Sequence, residues 1–135
     1  MPKWTKEQQE AIDLDGENII VSAGAGSGKT AVLTERVIRK LESGISINKL
    51  LILTFTKLAA SEMKLRIRNE IKKRIELSEE LKKIDSSYIT TFDSFSLSLV
   101  KKYHYLLNVK KSINIIDSNL LNITIKEYLD EIFEE

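Results

Sequence analysis

A chain of 135 residues is long enough for one modest domain with a real core and too short for two. With 42% hydrophobic and 30% charged residues, five glycines and one proline, it has the composition of a folded soluble domain, not of a disordered or low-complexity tract. The lack of cysteine excludes disulfides and thiolate metal sites, and the lone His104 excludes a histidine cluster; a net charge of +1 decides nothing by itself about nucleic acid.

The Met-Pro-Lys-Trp start lacks the apolar run of a signal peptide, and apolar stretches such as residues 50–53 are far too short to cross a bilayer. The expectation is a cytoplasmic protein without membrane contact.

In chain order, residues 5–13 read as a short helix, because Thr5-Lys6-Glu7-Gln8 fits a capping box. Residues 18–22, Asn-Ile-Ile-Val-Ser, form a compact apolar run that reads as a buried strand. After a glycine-rich loop, residues 29–42 read as a helix with a one-sided apolar stripe, and Gly44 is placed to stop it. Residues 49–55 read as a second strand. A long helix is expected over residues 58–77, with Ala59, Met63, Ile67, Ile71 and Ile75 at i+4 spacings along one buried face.

Residues 88–91 read as a third strand, and residues 93–107 as a helix carrying Phe95, Leu99, Tyr103 and Leu106 on one side. Residues 113–116 suggest a fourth strand, and Asp117 caps a last amphipathic helix. Apolar strands alternating with helices predict an α/β fold, a parallel sheet flanked by helices with right-handed crossovers. Nine Lys/Arg against five Glu occupy residues 57–83, while residues 117–135 are acidic; the basic stretch reads either as a solvated helix face or as a phosphate-backbone surface.

Ala23-Gly24-Ala25-Gly26-Ser27-Gly28-Lys29-Thr30 lies between an expected strand and an expected helix, the context a phosphate-binding loop needs. The glycines let consecutive N–H groups converge on phosphate oxygens, and the helix start aims its dipole at the same anion. Lys29 supplies a cation for the β- and γ-phosphates, and the Thr30 hydroxyl suits Mg²⁺. The strict pattern has glycine where this chain has Ala23, a mild departure beside Gly24, Gly26 and Gly28. The competing reading is a chance glycine turn ending a strand.

Taken in order, the segment from Trp4 to Ile12, this alanine-first loop, Thr54-Phe55-Thr56 followed by Ala59-Ala60-Ser61-Glu62-Met63, and Thr90-Thr91-Phe92-Asp93-Ser94-Phe95 resemble the N-terminal part of superfamily 1 DNA helicases of the UvrD/Rep type, including the AddA/RecB helicase-nuclease branch. The resemblance covers Trp4 to about Leu99. It implies a RecA-like P-loop NTPase fold, incomplete here, with residues 1–116 as part of the ATP-binding motor domain and residues 117–135 as the start of an inserted helical subdomain. It also implies that Gln8 reads the adenine edge, which favours ATP with Mg²⁺ as the cofactors. Thr54, Phe55 and Thr56 match a motif that contacts single-stranded DNA, with Phe55 able to stack on a base. Thr91 matches a DNA-backbone motif.

Two departures stand out: Asp93 occupies a position where the family commonly has histidine, and Lys57 one where it often has asparagine. A carboxylate is unfavourable beside phosphate, so Asp93 is expected to cap the following helix.

The family's second nucleotide motif is an apolar strand ending in Asp-Glu. The only such pair here, Asp130-Glu131, lies within the expected last helix. The 135 residues alone are therefore expected to bind ATP, hydrolyse it little and not unwind DNA. A sheet of these strands alone would leave an edge open, which favours self-association. The expected partners are single-stranded and duplex DNA, the remainder of a helicase chain and a second helicase-nuclease subunit, with repair or recombination as the setting. A small P-loop kinase or phosphotransferase is the alternative, and a DNA-binding scaffold with a degenerate nucleotide loop a third reading.

Overall fold

Thr5 opens the first helix by the reciprocal bonding its sequence encodes: its hydroxyl accepts from the Gln8 N–H (3.2 Å), and the Gln8 carboxamide oxygen accepts from the Thr5 N–H (2.9 Å). The computed structural model describes residues 4–16, 18–24, 26–113 and 115–133. Among them lie α1 (Lys6–Asp13), α2 (Lys29–Glu42), β1 (Leu51–Thr54), α3 (Lys57–Lys72), α4 (Ser78–Lys83), β2 (Tyr88–Thr91), α5 (Phe92–Lys102) and α6 (Ser118–Phe133), with short 3₁₀ turns between several of them.

Helix α2 has the expected bounds, and Gly44 ends it. At φ +89° its backbone turns left-handed, while the Ile45 N–H donates to the Lys40 carbonyl (3.0 Å) and the Gly44 N–H to the Leu41 carbonyl (2.9 Å).

The sheet among the described residues has two strands. β1 and β2 run parallel with Leu51 opposite Tyr88, Ile52 opposite Ile89, Leu53 opposite Thr90 and Thr54 opposite Thr91. Ile52 and Ile89 are buried, whereas Leu51 and Tyr88 on the alternate face are exposed. The expected strand over residues 18–22 is not formed. Their apolar content signals a demand for burial, but a strand exists only where a neighbour completes its ladder, and none among the described residues does so; Ile20 is 96% exposed. The expected strand over residues 113–116 is likewise absent at 113, 115 and 116, and Asn114 lies outside the described residues.

The core is aliphatic. Ile38 from α2, Ile67 and Ile71 from α3, and Ile47 and Ile84 from the 3₁₀ turns are fully buried, and they close over Ile52 and Ile89. The buried row on α3 is Ala60, Met63, Ile67 and Ile71, a 3–4 spacing. Ala59 is exposed, one position off this row. The helix stops at Lys72, so Ile75 falls in the following turn and points to solvent.

Glu80 of α4 ties this part together. Its carboxylate accepts from the Ser46 hydroxyl (3.0 Å), the Ile47 N–H (2.7 Å) and Lys83 (2.8 Å). Arg74 meets Glu35, Glu42 and Glu70 at 3.8, 2.9 and 3.1 Å.

The chain falls into two compact units, Met1–Phe95 and Ser96–Glu135, so the division lies within α5. In the second unit the helical stretch expected to residue 107 stops at Lys102 and passes into a 3₁₀ turn, His104–Leu107, closed by Asn108 at φ 52°. Leu99, Tyr103 and Leu106 are exposed, and no residue of α6 is buried. No helix among the described residues is long and apolar enough to cross a membrane.

Candidate functional site

The phosphate loop is shaped by glycines at positive φ, Gly26 at +76° and Gly28 at +81°. Gly28 is the N-cap of α2 and offers no side chain to its first N–H groups, so the positive end of a 14-residue helix faces outward without an internal acceptor. The positive φ reserves the site for glycine by conformation, and a Cβ at Gly28 would also crowd the Gln8 side-chain nitrogen at 3.2 Å. At Gly24 and Gly26 a Cβ would meet nothing within 4 Å, which leaves an open approach to the loop backbone.

Within the loop, the Ser27 hydroxyl donates to the Gly24 carbonyl (2.7 Å). The Lys29 ammonium reaches back over the loop and donates to the carbonyls of Ala23 and Gly24, the latter at 2.8 Å. Both bonds are exposed, so the cation stands at the loop's outer surface, where an anionic ligand would compete for it. Thr30 is exposed one residue further on. Ala25 lies outside the described residues. An uncapped helix start, an exposed ammonium and an exposed hydroxyl form a donor set that fits a polyphosphate with Mg²⁺.

Gln8 is drawn into the same place. Its carboxamide oxygen completes the capping box, while its nitrogen donates to the Ser27 carbonyl (3.1 Å). Both ends of the amide are thus engaged within the protein, and α1 is tied to the loop.

The residues expected to meet DNA gather at the carboxyl ends of the two strands. The Thr54 hydroxyl donates to the Thr56 carbonyl (3.0 Å), and the Thr56 hydroxyl accepts from the Ala59 N–H (3.1 Å), capping α3. Phe55 between them is 93% exposed. Thr91 is 6% exposed; its hydroxyl accepts from the Ser94 N–H (3.2 Å) and donates to the Ser94 hydroxyl (2.9 Å). Thr91 therefore caps α5, the role expected of Asp93. The helix begins one residue earlier than expected, which puts Asp93 inside its first turn, where its charge complements the dipole.

Sequence reading did not single out Phe92. It is exposed, and its ring centroid lies 6.1 Å from that of Phe55. The signal was present: both strand runs end in Thr-Phe, at Thr54-Phe55 and Thr91-Phe92. Asp130-Glu131 sits within α6, a helix.

The wide groove between α1, α2 and α3 lies elsewhere, and its Glu35, Arg39, Glu42, Glu70 and Arg74 are paired with one another or with Asp13.

Residues 4–135 match the family model described as the UvrD/REP helicase N-terminal domain. Among similar proteins, an ATP-dependent helicase/nuclease subunit of Lactobacillus acidophilus is 43% identical over 94% of this chain and 11% of its own length. Its counterpart in Heliobacterium modesticaldum is 40% identical over 98% of this chain and 10% of its own, and that of Geobacillus kaustophilus 41% over 98% and 12%. The chain thus spans about a tenth of the length of these relatives. A match over nearly every residue, together with the loop, the strand-end aromatic and their order along the sequence, makes the chain a member of the UvrD/REP helicase N-terminal domain family.

Proposed function

We propose that this chain is the N-terminal ATP-binding part of a RecA-like motor domain, in a DNA helicase that moves along single-stranded DNA in repair or recombination. The observation that carries the reading is the start of α2: a helix without a side-chain cap, opened by Gly28 at φ +81°, with Lys29 over the loop. In a member of a helicase family, that feature serves ATP.

Backbone N–H groups of Ala23, Gly24, Ala25, Gly26, Ser27 and Gly28 hold the phosphates. Lys29 leaves the carbonyls of Ala23 and Gly24 to neutralise the β- and γ-oxygens, and Thr30 holds Mg²⁺. Bound Mg²⁺ would supply charge neutralisation at those oxygens. Gln8 meets the adenine edge with its second amide N–H and the second lone pair of its oxygen, while its bonds to the Thr5 N–H and the Ser27 carbonyl link the base and phosphate ends of the site.

At the strand ends Phe55 stacks on a base, while Thr54, Thr56 and Thr91 hold the turns that meet the DNA backbone. The relatives carry the name of one subunit in a helicase/nuclease, which supports a second subunit for this protein too. The one Asp-Glu pair in the 135 residues, Asp130-Glu131, lies in α6 and not at the end of a strand, so this segment by itself binds nucleotide and turns it over slowly.

Lys29→Ala and Phe55→Ala in the longest natural polypeptide containing this chain test the reading. The first abolishes ATP turnover, and the second abolishes its stimulation by single-stranded DNA while basal turnover persists. A phosphotransferase would lose activity with the first and be indifferent to DNA throughout, and that result would overturn the helicase reading.

A further inference from the structure

The two strands end alike. Ile52-Leu53-Thr54-Phe55 and Ile89-Thr90-Thr91-Phe92 run in parallel with Thr54 opposite Thr91, so the residue that follows each threonine emerges beside its counterpart at the carboxyl edge of the sheet. Both threonine hydroxyls are used inside the protein, shaping the turns that carry the two rings outward. Phe55 is 93% and Phe92 53% exposed, an arrangement that solvent alone does not favour. The rings are tilted by 33° with centroids 6.1 Å apart. Rings this close leave no room for a base between them, so they form one continuous apolar face and not a clamp.

Beside this face, the first two turns of α3 carry Lys57, Ser61 and Lys64 at i, i+4 and i+7, and with Thr90 and Thr91 they line a small groove at the same end of β2. Among the described residues neither lysine has a carboxylate within ion-pair distance; Lys64 makes a long contact (3.4 Å) with the Asp85 carbonyl. Two rings beside two lysines without carboxylate partners have the chemistry of a single nucleic-acid strand, with faces for bases and charge for the linking phosphate.

We infer that Phe92 is a second base-contacting side chain, and that the groove of Lys57, Ser61 and Lys64 holds the phosphate between the bases on Phe92 and Phe55. This rests on the reading that Phe55 meets single-stranded DNA. The 6.1 Å between rings exceeds the roughly 3.4 Å step of stacked bases in a duplex strand, so the strand crosses the platform extended, its bases stacked on protein instead of on each other. Such contact is indifferent to sequence, because every base has a π-face.

The test measures binding of fluorescein-labelled oligothymidylate, and of the same strand with abasic positions, to the longest natural polypeptide containing this chain. Phe92→Ala and Phe92→Leu weaken binding to oligothymidylate by about tenfold and leave binding to the abasic strand unchanged. The leucine variant keeps apolar volume at the start of α5, so it decides the question if the alanine variant fails to fold. Lys57→Gln with Lys64→Gln lowers the slope of log affinity against log salt by about 0.7 on both strands, the value for one lost phosphate contact.

If Phe92→Leu binds oligothymidylate like the unaltered protein while Phe55→Ala loses affinity, the inference fails and the underlying reading stands. Equal losses on both strands, or an unchanged salt slope in the double lysine variant, also overturn it. If Phe55→Ala too is without effect, the reading beneath it falls as well, and the rings are left as a docking face for protein.

Discussion

Single residues at two places hold conformations that their neighbours cannot replace. Gly28 combines a left-handed backbone with an approach of 3.2 Å from a Cβ position to the Gln8 nitrogen. Gly28→Ala therefore costs about 1–2 kcal/mol in backbone strain and also crowds the Gln8 nitrogen that donates to the Ser27 carbonyl. Thermal unfolding should fall by several degrees, and nucleotide affinity, read by a fluorescent ATP analogue, should fall with it; an unchanged affinity would separate the loop's shape from its ligand.

Glu80 shows the same dependence electrostatically. Its burial works against the charge, but Lys83, the Ile47 N–H and the Ser46 hydroxyl outweigh that effect and hold the carboxyl below its ordinary 4.5. A folded value lower than the unfolded one adds stability above the ordinary range, and that stability is lost as pH falls through the folded value. Glu80→Gln should thus cost about 1–2 kcal/mol at neutral pH in urea denaturation, and the gap between the two proteins should close below about pH 4.

At the scale of elements, what the sequence disclosed well was whatever local chemistry decides. The Thr5 capping box, the bounds of α2, the Gly44 stop and the extent of β2 depend on side chains within a few residues of one another, and all are present. Residues 18–22 depend on a neighbour that no local pattern can supply, and their aliphatic run reads as a strand by its composition alone. Near the site, the glycine-rich loop was legible from its spacing, while Phe55 was expected only through the resemblance of Thr54-Phe55-Thr56 to a helicase motif. Phe92 was not, because only the pairing of Thr54 with Thr91 brings the two rings together.

Cap identity was also hidden: Thr91 and Asp93 are both good N-cap types, and a one-residue shift in the helix start decides between them. Thr91→Val keeps the buried shape and removes the cap, so it should destabilise α5 by about 1 kcal/mol. Amide exchange at Ser94 should then accelerate while that of Ile38 in α2 does not.

Across the whole molecule, stability is distributed unevenly between the two units. In Met1–Phe95 one aliphatic cluster joins α2, α3, both strands and the 3₁₀ turns, and Ile67 lies fully buried within it. In Ser96–Glu135 the apolar residues of α6, among them Ile125, are exposed. The helical spacing of those side chains was readable, but periodicity gives the face a helix would bury and not whether anything lies against it. Removing equal numbers of methyl and methylene groups at the two places should therefore have unequal effects. Ile67→Ala loses both transfer free energy and packing, leaving a cavity beneath the sheet, and should cost about 2–5 kcal/mol, a large part of the roughly 5–15 kcal/mol typical of a domain. Ile125→Ala loses little burial and should stay within about 0.5 kcal/mol. Urea denaturation of the 135-residue chain, followed by circular dichroism, compares them directly. A cost at Ile125 equal to that at Ile67 would mean that α6 is covered in solution by a second copy of the chain, and the midpoint would then rise with protein concentration.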